Sequence, residues 1–463
     1  MKADRRQALV AESARRFLRR SAYGHLQNLL AKIRPQDFPL VYDAFSERER
    51  ELVFTLLAKR APATGGGFLV ELPIDQSVAM VRRLDTPISA RLIGAASEDD
   101  AAALLSELDE EEAARILEAL QPEEKASVEK LLIYEEETAG RIMTPDLFSL
   151  HENTLVGEAT DALRSTGDVE IAFYLYVVDD RGHFVGVVSL RELLLNPVDT
   201  PLKQIMNTDL ISVRTDTDQE EVAQIVSKYD LLAIPVVDEQ GRLVGIVTID
   251  DVIDVLREEA TEDIFRMAGT SEEERIEPTI FKSARIRSPW LLAAFVGGVL
   301  ASIVIGAFED FLTSGLAVLV IYVPLTLGVG GSAGNQSAIV IIRGLATGRL
   351  REGILLRSFG REMGVSLLLG ISYGLLLFCW SFGYLTLMQG DLDLEARLRR
   401  AVVMGLALCL SMIMSTSMGA MFPLLLHRMK IDPTVATTPF VTTVTDFFGS
   451  LIIFALAYSL IVL

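Results

Sequence analysis

The sequence contains few of the residues that carry covalent or metal chemistry. Its 463 residues include 2 Cys and 4 His, and both cysteines, Cys379 and Cys409, lie in the apolar last part of the chain. This distribution excludes a disulfide framework and a CxxC zinc site in the polar part. P-loop, nucleophile-elbow and paired-histidine motifs are also missing, so nothing in the sequence indicates an enzyme.

Charge is distributed unevenly along the chain, whose formal net charge is −20. Residues 1–94 carry 16 Lys/Arg and 10 Asp/Glu, residues 95–288 carry 17 and 44, and residues 289–463 carry 10 and 9. A weakly basic head, an acidic middle and an apolar tail exclude a single soluble globule. Because the acidic surface repels phosphate, we expect no nucleic-acid partner.

The tail contains five apolar stretches, each long enough to cross a lipid bilayer, which takes roughly 20 helical residues. We predict spans at 289–308, 312–342, 363–388, 401–426 and 434–463.

Basic loop residues predict the orientation of these spans, because Lys and Arg accumulate on the cytoplasmic side. The basic residues near Arg287, Arg357 and Arg428 fall on one side, and the acidic residues near Glu309 and Asp391 fall on the other. Arg397, Arg399 and Arg400 are exceptions on the acidic side. The first residues, Lys2 to Arg20, have no apolar run, so we expect no signal peptide. The chain is predicted to be a multi-pass protein of the inner or plasma membrane with a cytoplasmic N-terminus.

Asp446 is the single ionisable residue in the middle of the fifth predicted span. A carboxylate at that depth costs several kcal/mol unless it faces a cavity, a partner or a cation. It is therefore either a cation ligand in a water-filled pathway or a protonated structural aspartate. Thr442 lies one turn earlier and can face the same lumen.

The second predicted span contains Pro324 and a glycine-rich run from Gly328 to Gly334. These residues weaken a helix, so we expect the backbone to leave the helix there and line a pore. Freed carbonyls, with Ser332, Asn335 and Gln336, would supply neutral oxygen ligands. The alternative is a small-residue face for close helix packing, and the two can coexist.

Oxygen ligands and a carboxylate, with no Cys or His cluster in the spans, predict a hard cation. Magnesium loses its waters reluctantly, so a selective site would hold the hydrated ion. One Asp446 per chain makes a sparse site, and two chains around a two-fold axis would supply two carboxylates. We therefore predict a homodimer.

An internal repeat lies upstream of the spans. The segment from Val177 to Ser189 recurs 59 residues later, from Val236 to Thr248, and each copy predicts a strand, a glycine turn, a second strand and a capped helix. The repeat resembles a tandem pair of CBS domains, which commonly sense adenosine nucleotides or ions. In that family a Ser/Thr-x-x-Asp segment often holds a ribose, and Thr248 and Asp251 match it. A helix capping box explains the same two residues equally well.

Residues 1–135 predict amphipathic helices with apolar residues at three-to-four spacing, arranged as a small superhelix. Runs of acids open helices in the second repeat and follow it. They are either a solvated acidic face or carboxylates from different domains that a divalent cation bridges.

The whole chain resembles the MgtE family of magnesium channels. The residues that carry the resemblance are the segments 136–145 and 214–222, Pro324 with Gly328 to Gln336, and Pro439 to Asp446. The implied architecture is a cytoplasmic all-α superhelical N domain (1–135), an α+β tandem CBS pair (136–260), a connecting or plug helix region (261–287) and an α-helical membrane domain with five spans (288–463). The implied function is a dimeric channel for Mg²⁺, which is closed when cytoplasmic Mg²⁺ binds acidic sites and a helix near 277–287 occludes the pore.

The residue patterns and the resemblance together assign site residues. The predicted pore ligands are Asp446, Thr442, Gly328, Gly331, Asn335 and Gln336. The predicted sensor ligands are Asp99, Asp100, Asp216, Asp218, Glu220, Asp230, Asp250, Asp251, Asp254, Glu258, Glu259, Glu262 and Asp263. Two positions depart from the family pattern, because Ser332 replaces the usual Asn and Ala103 stands where another acid is common.

Two other functions fit the same pattern. A CBS-regulated secondary transporter would move another solute with a sodium or proton gradient. A non-transporting membrane sensor would use the acidic domains to signal to a partner, and would not need Asp446.

Overall fold

The computed structural model describes residues 2–145, 147–165, 174–271, 279–308, 317–346, 355–388, 392–434 and 437–462. The chain divides into two compact units, Met1–Glu258 and Glu259–Leu463. Two loop positions used to predict orientation, Glu309 and Asp391, lie outside the described residues, as does Glu277 at the predicted start of the connecting helix.

The N-terminal part of the first unit consists of short helices. Several begin at helix-starting signals, such as the Ser46–Glu49 capping box and prolines in the first turn. The helices are α1 (Lys2–Arg19), α2 (Tyr23–Leu30), α3 (Phe38–Tyr42), α4 (Glu47–Arg60), α5 (Pro62–Val70), α6 (Ile74–Arg83), α7 (Thr86–Ile93), α8 (Glu98–Ser106), α9 (Glu110–Ala119) and α10 (Pro122–Leu132). Their apolar faces enclose a core in which the rings of Phe38 and Phe68 stack at 4.0 Å. The predicted helical N domain is confirmed.

The rest of the first unit contains two similar α+β modules joined to the helices by α11 (Ala139–Ile142). The first module comprises β1 (Ser149–His151), α12 (Val156–Ser165), β2 (Tyr174–Val178), β3 (Phe184–Ser189) and α13 (Leu190–Leu195). The second comprises β4 (Val213–Arg214), α14 (Gln219–Tyr229), β5 (Ala233–Val237), β6 (Leu243–Thr248) and α15 (Ile249–Met267).

The two modules have the same sheet topology. In each sheet the first strand pairs in parallel with the second, which pairs antiparallel with the third. The hairpins turn at Gly182 and Gly241, whose φ angles are 80° and 79°, a conformation that glycine adopts without strain. The strand–turn–strand–helix pattern predicted for both copies is confirmed.

The modules also exchange their leading segments. Met143, which precedes the first module, packs on Gly245 of the second, and Met206, which precedes the second, packs on Gly186 of the first. Backbone bridges join Thr144 to Ile246 and Asn207 to Val187 in the same way. This exchange ties the two copies into one body.

The second unit contains five helices that are long and apolar enough to cross a membrane. They are α16 (Ile280–Ala307), α17 (Val323–Ala346), α18 (Leu355–Met388), α19 (Leu394–Arg428) and α20 (Thr437–Ala457), and the last continues as a π-helix at Tyr458–Val462. The prediction of five spans is confirmed. The predicted connecting segment up to Arg287 is continuous with the first span, because α16 runs through Pro289 without a break.

The predicted unwinding between Gly328 and Gly334 is wrong. Helix α17 is continuous through this run, and the Ser332 hydroxyl donates to the Gly328 carbonyl at 2.8 Å. Pro324 starts the helix after a 3-10 segment, Ala317–Tyr322, where its missing N–H costs nothing. Close packing compensates for weak helix propensity, because a Cβ at Gly330 would lie 2.8 Å from Ser411 Oγ of α19. The alternative of a packing face is confirmed.

Candidate cation sites

Asp446 lies near the middle of α20 and is partly buried. Its backbone carbonyl accepts a 2.7 Å hydrogen bond from Ser450, but its carboxylate has no hydrogen-bond or ion-pair partner among the described residues. A structural aspartate would be expected to have one, because an unpaired carboxylate is costly in a membrane. The carboxylate is therefore available to a cation, to water or to another chain.

Helices α17 and α19 both pack close to the segment of α20 that carries Asp446. The hydroxyls of Ser415 and Thr445 are 2.7 Å apart, and a Cβ at Gly331 would lie 4.0 Å from Thr445 Cγ2. Asn335 Oδ1 and Ser411 Oγ are buried without a hydrogen-bond partner in the described part of the chain. Unsatisfied buried oxygens are rare, and a hydrated cation or ordered water would satisfy them.

The predicted pore ligands on α17 have unequal surroundings. Asn335 is partly buried and Gly331 is buried, whereas Gly328 and Gln336 are exposed. The Gly328 carbonyl already accepts from Ser332. Among the predicted ligands on this helix, the Asn335 side chain therefore has the strongest structural support.

A second carboxylate, Glu362 of α18, is buried in the same unit, with 6% of its surface exposed. It accepts a 2.9 Å hydrogen bond from Ser337 Oγ of α17. Sequence reasoning missed this residue because Glu362 directly precedes the predicted third span, and a single acidic residue at that position is assigned to the loop. The longer helix α18 places it inside the bundle.

An acidic cluster in the first unit joins the helical part to the second α+β module. Asp99 and Asp100 open α8, and Asp250 and Asp251 open α15. Ser97 Oγ donates to Asp100 Oδ2 at 2.6 Å, while Asp99 Oδ1 is buried with no hydrogen-bond partner among the described residues. The structure thus brings together four predicted sensor residues from two parts of the sequence.

The pKa values of this cluster are raised. Burial raises the pKa of Asp251 to about 7, and the nearby Asp99 adds to the effect. Burial raises the pKa of Asp100 to about 6, with further contributions from Asp99, Glu71 and Asp254. The pKa of Asp99 is also raised, mainly by burial. Carboxylates held together in this way favour either a proton or a nearby cation, and their oxygen atoms are of the type that a hard divalent ion prefers.

Glu71, at the end of α5, is a member of this cluster that sequence reasoning missed. Its pKa is raised by burial and by Asp254, and its carboxylate accepts a 2.8 Å hydrogen bond from Gln36. No local pattern distinguishes Glu71 from other single acids, because only the folding of α5 toward α15 brings it here.

Thr248 and Asp251 contact each other at the start of α15. The Thr248 hydroxyl lies within hydrogen-bond distance of both Asp250 and Asp251, at 2.5 Å from Asp251 Oδ2, and its backbone N–H donates to the same oxygen at 3.3 Å. The first module has the matching Ser189–Glu192 capping box. A bound ribose would have to compete with these local contacts.

Four other predicted sensor residues lie elsewhere in the second module, and three of them make local contacts. Asp216 pairs with Arg214 at 2.9 Å, Asp218 caps α14 through Glu220 N–H, and Glu220 accepts from Gln224 at 3.3 Å. Asp230 ends α14 in a left-handed conformation and is exposed. Their assignment as metal ligands stays a prediction.

The end of α15 carries the remaining predicted sensor residues. Glu258 is exposed, whereas Glu259, Glu262 and Asp263 are partly buried. In the second unit, Arg266 pairs with Glu262 of the same helix and with Asp432 of the loop before α20, at 2.5 Å. Sequence reasoning missed Asp432, the single acid of the otherwise basic 427–436 loop. Within the described ranges, no group of three His, Cys, Asp or Glu is arranged to hold a metal ion without rearrangement.

The fold and these sites define a class: a polytopic membrane protein whose five-helix domain is joined to a CBS pair and an acidic helical domain. Comparison with known families agrees with each part. Residues 33–137 match the MgtE intracellular N domain, residues 139–199 and 202–258 match CBS domains, and residues 323–456 match a family described as a divalent cation transporter.

Curated relatives extend the match to nearly the whole chain. The magnesium transporter MgtE of Thermus thermophilus is 37% identical over 440 residues, which cover 93% of this chain and 94% of that one. The protein of the same name from Enterococcus faecalis is 37% identical over 71% of this chain and 70% of its own. The chain therefore belongs to the MgtE family.

Solved structures match about half of the chain. The soluble part of a magnesium transporter aligns with a TM-score of 0.50 at 32% identity, covering 55% of this chain and 99% of that one. The cytosolic domain of the Mg²⁺ channel MgtE in complex with ATP aligns with a TM-score of 0.50 at 38% identity, covering 53% and 99%.

Proposed function

We propose that this chain is a magnesium channel of the inner or plasma membrane, with its N-terminus in the cytoplasm, and not an enzyme. Asp446 carries the proposal, because its carboxylate lies within a membrane span and has no partner among the described residues. Its curated relatives are named magnesium transporters, which supports Mg²⁺ as the transported ion. A hydrated Mg²⁺ would be held by Asp446, with Asn335 and Thr442 as neutral oxygen ligands.

The channel is proposed to be a homodimer, with two Asp446 carboxylates sharing one pathway. Exposed apolar side chains on corresponding helices of the CBS pair support this assembly. Leu194 and Leu195 of α13 are 79% and 70% exposed, and Ile253 and Leu256 of α15 are each 42% exposed. Such a surface is typical of a protein–protein interface.

Cytoplasmic Mg²⁺ is proposed to close the channel. The ion would bridge Asp99 and Asp100 of the N domain to Asp250 and Asp251 of α15, and a second site would use Glu262 and Asp263. Without the ion, the carboxylates repel one another and the domains separate. Two arrangements with different cation affinity are what regulation of this kind requires.

An adenosine nucleotide is proposed as a further ligand of the CBS pair. A solved relative of the cytosolic part contains ATP, and Thr248 and Asp251 match the Ser/Thr-x-x-Asp pattern. Because the two residues already contact each other and Asp251 belongs to the acidic cluster, nucleotide binding would be coupled to that cluster through Asp251.

Magnesium flux into proteoliposomes, with and without Mg²⁺ on the cytoplasmic side, tests the proposal. We expect Asp446→Ala to reduce flux at least tenfold, because the pathway loses its carboxylates, while the exposed-site control Asp161→Ala retains it. Normal flux through Asp446→Ala would contradict the channel and favour a sensor. Flux that requires a sodium or proton gradient would favour a secondary transporter.

A further inference from the structure

The Arg266 side chain sits among the carboxylates at the end of α15. Its guanidinium contacts Glu262 one turn earlier and Asp432 at 2.5 Å. Asp432 is itself fixed, because its carboxylate accepts from the Thr434 backbone N–H at 2.8 Å and from the Thr434 hydroxyl at 2.7 Å. The ion pair therefore joins the end of α15 to the loop that leads into α20, the helix that carries Asp446.

The charges of this cluster nearly balance. Glu262, Asp263 and Asp432 contribute three negative charges, and Arg266 and Arg343 contribute two positive charges, both of which act on Asp263. The pKa of Asp263 is nevertheless raised, by burial first and by Asp432 second. A divalent cation would have to share or displace a guanidinium that already satisfies two of the carboxylates.

We propose that Arg266 is a tethered cation that competes with cytoplasmic Mg²⁺ for the Glu262 and Asp432 carboxylates and so sets the concentration at which the channel closes. The inference rests on the proposed gating by Mg²⁺. An arginine serves this role because it pairs with carboxylates in a fixed geometry and stays protonated at every physiological pH.

Competition and a purely structural ion pair predict opposite changes in the half-inhibitory Mg²⁺ concentration when Arg266 is removed. If Arg266 only held α15 to the loop, its removal would weaken closure and raise the Mg²⁺ concentration needed for half-inhibition. If Arg266 competes with the ion, its removal leaves three carboxylates less compensated and lowers that concentration. One positive charge at contact distance from a divalent ion changes affinity by about tenfold in a well-solvated site.

The test measures Mg²⁺ flux into proteoliposomes of the full-length protein at graded Mg²⁺ on the cytoplasmic side. Arg266→Gln should lower the half-inhibitory concentration about tenfold, whereas Arg266→Lys, which keeps the charge, should stay near wild type. Arg164→Gln is the matched control, since Arg164 also pairs with an earlier acid of its own helix, Asp161, at 3.2 Å. In an Asp432→Asn background, Arg266→Gln should have a smaller effect.

The outcomes separate the two claims. An unchanged or higher half-inhibitory concentration in Arg266→Gln, with normal inhibition of the wild type, overturns the role of Arg266 and leaves magnesium gating intact. Wild-type flux that ignores cytoplasmic Mg²⁺ overturns the gating and, with it, the inference.

Discussion

At the scale of single residues, the carboxylates in the acidic cluster of the first unit repel one another when ionised. Binding of protons or cations reduces this repulsion. The charge of Asp99 helps to raise the pKa of Asp251, and the charge of Asp250 helps to raise the pKa of Asp99, so residues of the N domain and of α15 make one another harder to ionise. Burial contributes more than charge, so the effect depends on the domains being packed together. The same contacts that would make the proposed cation site thus destabilise the packed arrangement when no cation is bound.

This repulsion predicts a pH dependence. Because the folded pKa values of Asp100 and Asp251, about 6 and 7, lie above the ordinary value of 3.8, the packed unit binds more protons than the unfolded chain. Without Mg²⁺, its stability should therefore fall as the pH rises from about 4 to about 7. At pH 6, where Asp251 is mostly protonated, about tenfold more Mg²⁺ than at pH 8 should be needed for half-maximal protection.

Limited proteolysis of the full-length protein at graded Mg²⁺ measures both effects. Asp251→Asn should flatten the pH dependence, and Asp161→Asn, at an exposed ion pair, should leave it unchanged. Equal Mg²⁺ requirements at pH 6 and pH 8 in the wild type would argue against a carboxylate site in this cluster.

At the scale of secondary-structure elements, small residues let the membrane helices approach backbone to backbone. Gly334 of α17 and Gly419 of α19 face each other so closely that a Cβ on Gly419 would overlap the Gly334 carbonyl oxygen. The gap left by the missing side chains places Ser411 and Ser415 against α17. In this family member, the glycine-rich run therefore positions polar groups by close helix packing, without unwinding the helix.

The substitution Gly419→Ala tests this packing. We expect the added methyl group to force α17 and α19 apart and to lower the free energy of unfolding by about 1–3 kcal/mol. Gly364→Ala in α18 is the matched control, since no heavy atom lies within 4 Å of its added Cβ. Thermal unfolding of the detergent-purified proteins gives the comparison, and equal melting temperatures for the two variants would refute the close approach.

At the scale of the whole molecule, one chain supplies one Asp446 and exposes apolar residues on α13 and α15. Both features are explained if two chains form the channel, because the assembly would pair the carboxylates and cover the apolar surface.

Charged residues on that surface should therefore disrupt the dimer. We expect the double substitution Leu194→Glu and Leu195→Glu to shift the protein toward the monomer, because two buried charges oppose association. Native mass spectrometry of the full-length protein measures this shift. Leu40→Glu serves as the control, since Leu40 of α3 is also exposed, at 57%, but lies outside the CBS pair. A dimer that persists in the double variant would place the interface elsewhere.

The sequence alone determined the architecture, because hydropathy, charge and the 59-residue repeat are local properties of the chain. The spans, the two α+β modules, the helical N domain and the isolated Asp446 all follow from such patterns. The tertiary structure decided which residues meet. Glu71, Glu362 and Asp432 have no local signal and become candidates only through packing between distant segments. Packing also keeps α17 helical through its glycines. Contact with α19 outweighs the low helix propensity of the glycine-rich run, which is all that the sequence shows.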